Sequence, residues 1–220
     1  MVTGRSPNLS SLIFHTDETQ AFIATDTLAV ASHDKRPVNF TTKAFIVPHL
    51  RMIIAGTGVG GFLDEWFVKI NGKMVTLGID NLNEHTPRNL ASIWCGQKEK
   101  VGYPNTTTVY HFGFSERTGL IHSYAYRSTT GFASEKLDYG LAHKPDCTVP
   151  DDYRLPDDLK VMMDDQRRLQ KRAPKAQRIY IGGEIQVHHL TSAGYQVFTH
   201  YRFEDYEQDQ KIMLGRESSM

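Results

Sequence analysis

The hydrophobic period of this 220-residue chain changes in blocks, and that order restricts its fold more than any single motif. Residues 11–16, 21–25, 28–32, 43–47 and 51–55 are short runs of apolar and β-branched residues. Runs of this length, divided by turn residues such as Asp17-Glu18-Thr19, predict β-strands. The proline-containing piece 33–42 reads as a loop, and Pro48-His49 as a hairpin connection. Then the period lengthens. Phe62, Leu63, Trp66, Phe67 and Ile70 fall on one helical stripe, with Asn71-Gly72 placed to end it. A second helix is expected to start near Thr86-Pro87, with Leu90, Ile93 and Trp94 inward. Strands return over 106–115, 120–127 and 131–137. Proline and aspartate cluster over 144–158, and a third helix is expected over 156–172, with Leu159, Met162, Met163 and Leu169 on one side. Two strands, 178–191 and 195–204, close the pattern around Ser192-Ala193-Gly194, and the polar last dozen residues are expected to fray.

Blocks of strands and helices, without βαβ alternation, imply an α+β fold: antiparallel sheets with helices segregated to outer layers. No repeat or clear linker divides the chain. Lys plus Arg equals Asp plus Glu, 25 each, so no net field draws nucleic acid or an anionic membrane. The two cysteines, Cys95 and Cys147, match neither a disulfide framework nor a zinc spacing and read as free thiols in a reducing compartment. The start, MVTGRSPNL, lacks the apolar core of a secretory signal, and no run approaches the roughly 20 apolar residues of a membrane span. A cytoplasmic protein with no nucleic-acid or membrane partner is expected. The basic stretch Arg167, Arg168, Lys171, Arg172, Lys175 and Arg178 reads first as a solvated helix end, with an RNA or acidic-partner contact as the alternative. His188 or His189 could meet His200 across the last hairpin, but adjacent strand residues point oppositely, so only one of the pair can.

The most motif-like stretch is RMIIAGTGVGGFLDEWF, residues 51–67. Gly56, Gly58 and Gly61 spell G-x-G-x-x-G between a strand and a helix. Residues 74–79 could form a further strand ending at Asp80, where a dinucleotide fold places a ribose-binding acid. Against this, Asp64, Glu65 and Trp66 are large or acidic where such a helix needs small residues and a free N-terminal dipole. Dinucleotide binding through Gly56–Gly61 therefore stands as a remote alternative to a glycine corner that turns a strand sharply into a helix. No cofactor or metal is expected.

Taken together, MIIAGTGVGGFLDEWFVKI, IATDTLAVAS and IYIGGEIQVHHLTSAGYQVF resemble the glycine corner with first helix, the aspartate-bearing strand and the late double-glycine hairpin of the proteasome-like N-terminal-nucleophile (Ntn) hydrolases. The comparison is with proteasome β subunits and the bacterial proteasome-like protease, and it covers about residues 10–203. It implies a four-layer αββα sandwich of two antiparallel sheets, with 1–9 as a pro-segment, 10–208 as one domain and 209–220 as a polar tail. The family's nucleophile is the first residue of the mature chain, activated by its own α-amine beside an aspartate and a lysine. Setting Asp26 on the family aspartate and counting back gives Ser10, and counting forward gives Lys43 within about one position. The turn at Gly56, or Gly58, corresponds to the backbone N–H that supports the oxyanion. The resemblance thus implies Ser10, Asp26, Lys43 and Gly56 as catalytic residues of a peptidase-like amide-bond hydrolase, self-assembled and ring-like. The alternative is a non-catalytic homologue that keeps the fold as an assembly or binding scaffold, with Ser10 opening a strand, Asp26 capping a turn and Lys43 solvated.

Overall fold

The computed structural model describes residues 10–31, 34–101 and 106–215. The strands of its first block are β1 (Leu12–Thr16), β2 (Gln20–Asp26), β3 (Leu28–Val30), β4 (Pro37–Phe40), β5 (Ala44–Val47) and β6 (Met52–Thr57). Helices α1 (Phe62–Lys73) and α2 (Ile79–Val101) follow. Next come β7 (Thr108–Phe114), β8 (Ile121–Arg127), β9 (Ser134–Lys136) and β10 (Gly140–Lys144), then α3 (Leu159–Arg172), β11 (Glu184–Thr191), β12 (Gly194–Arg202) and α4 (Tyr206–Met213).

The molecule is mixed α+β, and its ladders are antiparallel. One five-stranded sheet runs β10-β1-β2-β11-β12, a second runs β5-β6-β7-β8-β9, and β3-β4 is a separate two-stranded ribbon. Alternation assigns each strand face to a different core. Leu12, Phe14 and Ile23 of the first sheet pack with Ile53, Phe112 and Ala125 of the second. On the second sheet's other face, Met52, Ile54, Val109 and Tyr126 meet Phe62, Trp66 and Ile70 of α1 and Leu82 and Leu90 of α2. On the first sheet's other face, Ile13, Ala24, Ile185 and Val187 meet Leu159, Met162 and Met163 of α3. At about 25 cal/mol per Å² of apolar surface, these three cores are the main source of stability.

Several elements differ from the sequence-based expectation. Residues 74–79 are not a strand: α2 begins at Ile79, well before Thr86-Pro87, and carries Pro87 inside it. The Glu116 carboxylate from the β7–β8 turn accepts the Asp80 and Asn81 N–H groups at 3.1 and 2.7 Å, a tertiary N-cap that no local sequence signal announces. Helix α1 runs through Asn71-Gly72 to Lys73. The loop expected over 33–42 contains β4, and α4 reaches into the 209–220 tail expected to fray. Residues 216–220 of that tail lie outside the described residues, as do 1–9, expected as a pro-segment. Strand β4 and helix α4 hold each other: Phe40 stacks on Tyr206 with ring centroids 4.3 Å apart. Strand β10, which no predicted strand covers, ends where the Pro/Asp-rich stretch begins and closes the β1 edge. Among the described residues no helix is long and apolar enough to cross a membrane.

Candidate functional site

Strand β2 ends at Asp26, where the chain leaves the first sheet to begin the β3-β4 ribbon. The Asp26 carboxyl is fully buried at this branch point and receives three donors. Its Oδ1 accepts the Ser11 N–H at 2.8 Å and the Lys43 ammonium at 2.8 Å, and its Oδ2 accepts the Gly182 N–H at 3.2 Å. The Lys43 ammonium also donates to the Leu28 carbonyl at 2.7 Å. Its third N–H has no partner among the described residues, and the lysine lines a cavity of about 120 Å³. A buried carboxylate needs such donors, because removing it from water costs several kcal/mol.

Ser10, Lys43 and Gly56 line that cavity together, and Asp26 lies directly behind Lys43. The remaining wall is largely apolar, with Phe45 and Leu63, and carries one carboxylate, Asp64. Gly56 behaves differently from the expectation. Its N–H donates to the Lys43 carbonyl at 3.1 Å as part of the β5-β6 pairing. A side chain at this position would press on Leu63, whose Cβ would lie 3.2 Å away, so Gly56 acts as a close-packing point for α1. Gly58 is the more constrained of the corner glycines: its φ is +116° and an added Cβ would meet the Thr106 carbonyl oxygen at 2.1 Å.

Several contributors carry no recognisable sequence signal for the site. Gly182 supplies Asp26 with a backbone donor, and its neighbour Gly183, at φ +75°, leaves no room for a Cβ beside the Thr27 hydroxyl. Gln166 of α3 is fully buried; its Oε1 accepts the Ser11 hydroxyl at 2.5 Å and its amide donates to the Pro145 carbonyl at 2.6 Å. Across the mouth between the sheets, the Thr42 hydroxyl donates to Gln186 Oε1 at 2.6 Å. In the sequence the Gly182-Gly183 pair stands out only as the double glycine of the late hairpin, and nothing singles out Gln166, which shares the buried face of α3 with Leu159, Met162 and Met163.

The other sequence candidates resolve otherwise. Ladders β5-β6 and β6-β7 are antiparallel and Asp80 sits in the first turn of α2, so the strand-ending acid of a dinucleotide fold has no counterpart here. Of the basic stretch, Arg167 pairs with Asp205, Arg168 with Asp165, and Arg178 donates to the Lys171 and Ala173 carbonyls. His188 lies opposite Val197 and His189 opposite Gln196, while His200 falls at the register shift between Thr199 and Tyr201, so the three do not converge. Among the described residues no group of His, Cys, Asp and Glu is arranged to hold a metal. Comparison with protein-family models and with curated proteins finds no match.

Proposed function

We propose that the chain is a proteasome-like Ntn hydrolase with a four-layer αββα fold and that its site is the cavity at Ser10. The observation that carries this reading is the buried Lys43–Asp26 pair, 2.8 Å apart, in a cavity wall that also presents Ser10. After cleavage between Leu9 and Ser10, the freed α-amine takes the Ser10 hydroxyl proton as the oxygen attacks a peptide or small amide carbonyl. The protonated amine returns that proton to the leaving nitrogen, and water hydrolyses the acyl-serine. Lys43, held by Asp26 and the Leu28 carbonyl, keeps a positive charge beside the amine and lowers its proton affinity. The oxyanion donor comes from the loop at Gly58, because the Gly56 N–H is committed to Lys43. Self-assembly into a ring-like homo-oligomer belongs to the same reading.

One observation favours a second reading, a non-catalytic homologue serving as an assembly or binding scaffold: the same commitment of the Gly56 N–H. Intact-mass spectrometry of the purified chain separates the two. Loss of residues 1–9 in the parent and full length in Ser10→Ala support the hydrolase. Full length in both overturns it in favour of the scaffold.

A further inference from the structure

At the opposite end of β7 and β8 from Ser10, a second polar cluster joins the β7–β8 turn to the start of α2. The Asp80 carboxylate takes the Ser115 hydroxyl at 2.6 Å on Oδ2, and the Tyr124 hydroxyl and His122 Nδ1, each at 2.7 Å, on Oδ1. Burial alone would raise the Asp80 pKa, but bonds from Ser115, His122 and Tyr124 leave it lowered. The ionised carboxylate only accepts, so His122 Nδ1 carries the proton toward Asp80, and in the neutral ring Nε2 is the nitrogen with the free lone pair. Nε2 lies 3.4 Å from Thr118 Oγ1. That oxygen already accepts the Leu120 N–H at 3.3 Å, which leaves its own hydrogen for Nε2. The turn is held in place, since Ser115 Oγ accepts the Arg117 and Thr118 N–H groups at 3.0 Å each. A cavity of about 300 Å³ opens over His122 and Thr118, with Glu84, Arg117 and Lys136 on its walls. Arg117 pairs with Glu84, whereas Lys136 has no ion pair among the described residues.

Hydroxyl, imidazole and carboxylate thus stand in the order nucleophile, base, orienting acid. We propose that Thr118, His122 and Asp80 form a second site, an acyl-transfer centre that takes small carboxylic esters. His122 Nε2 removes the Thr118 proton as Oγ1 bonds to the ester carbonyl carbon. The ester C–O bond then breaks, and His122 gives the proton to the departing alcohol. Water repeats the sequence on the acyl-threonine and releases the acid. Asp80 stays ionised throughout and holds the imidazole. Lys136 is the cation on the cavity wall for charge developing on the carbonyl oxygen.

The test uses the full chain carrying Ser10→Ala, so that the first site is silent. It is incubated with p-nitrophenyl acetate and mapped by peptide mass spectrometry. Acetyl on Thr118 is expected, forming about a hundredfold more slowly in His122→Gln. Thr118→Val, on an exposed turn, keeps the fold and is expected to remove the catalysed share of p-nitrophenol release. The proposal is overturned if Thr118 is acetylated no faster than the exposed Thr130, if the label rests only on His122 or lysines, or if release is unchanged in Thr118→Val.

Discussion

Replacing Lys43 by methionine would leave the Asp26 carboxylate with two backbone donors and no counter-charge. Because both partners are buried, this breaks a pair whose loss costs about 3–5 kcal/mol, to be read as a fall in the urea unfolding free energy. A loss under about 1 kcal/mol would mean that the pair is solvated. Histidine protonation sets a second expectation. His111 is fully buried against Trp66, whose Nε1–H it accepts on Nε2 at 2.8 Å, and its Nδ1 finds no partner among the described residues. Burial pushes His111 from 6.5 down to about 3, and His188 down to about 4. The unfolded chain therefore takes up these protons first. Their contribution is intact above about pH 6.5 and is lost as pH falls, by up to about 1.4 kcal/mol per unit for each histidine. Urea titrations at pH 7.5 and 5 should show this slope, and His111→Gln and His188→Gln should each shrink it. The spacing of Ser10, Asp26 and Lys43 was legible because side-chain identity carries it. The Gly182 N–H was not, since every residue but proline offers the same donor and only the fold aims it.

At the scale of elements, α1 and α3 were readable because each buries one face, and the β1-β2 and β11-β12 hairpins because turn residues divide two β-prone runs. The pieces that were missed are short, polar or stabilised from outside. Strand β4 has no buried residue, and α4 is a polar eight-residue helix also without one, so neither shows a strong period. Their stability comes from each other, which no window over either can detect. Tyr206→Ala removes the ring that stacks on Phe40 and lies under the Arg202 guanidinium, whose Cζ is 4.3 Å from its centroid. It should cost about 1–2 kcal/mol in thermal unfolding and speed amide exchange along β3-β4 first. Asp209 works against α4. Burial and the neighbouring Asp205 raise its pKa from 3.8 to about 6, only partly countered by Arg167. A raised carboxyl pKa stabilises the fold below about 3.8 and forfeits that contribution as pH climbs through 6. Asp209→Asn should therefore raise stability at pH 7.5 by about 1 kcal/mol, after discounting for its partial exposure, and have little effect at pH 3.5.

For the whole molecule, block order alone pointed to antiparallel sheets with helices outside them, because strands and helices do not alternate as βαβ units do. Sheet order was beyond it: β11 lies between β2 and β12, and β10 pairs with β1, through contacts that local pattern does not encode. Chains ending before β11 should consequently be insoluble, which centrifugation of a fragment ending at residue 180 would check. A soluble, cooperatively melting fragment would contradict it. The donor from Gly182 to Asp26 has a consequence in time. The two residues are 156 positions apart, roughly 8–30 seconds of ribosomal synthesis. For most of that interval the β1-β2 hairpin has both edges bare, since β10 is made only at 140–144, and the β2 edge stays bare until β11 follows. Asp26 meanwhile lacks one of its three donors, so the Ser10 cavity cannot take its final form before Gly182 is made. Any cleavage ahead of Ser10 that depends on this geometry must wait until Gly182 has been made and has joined the fold.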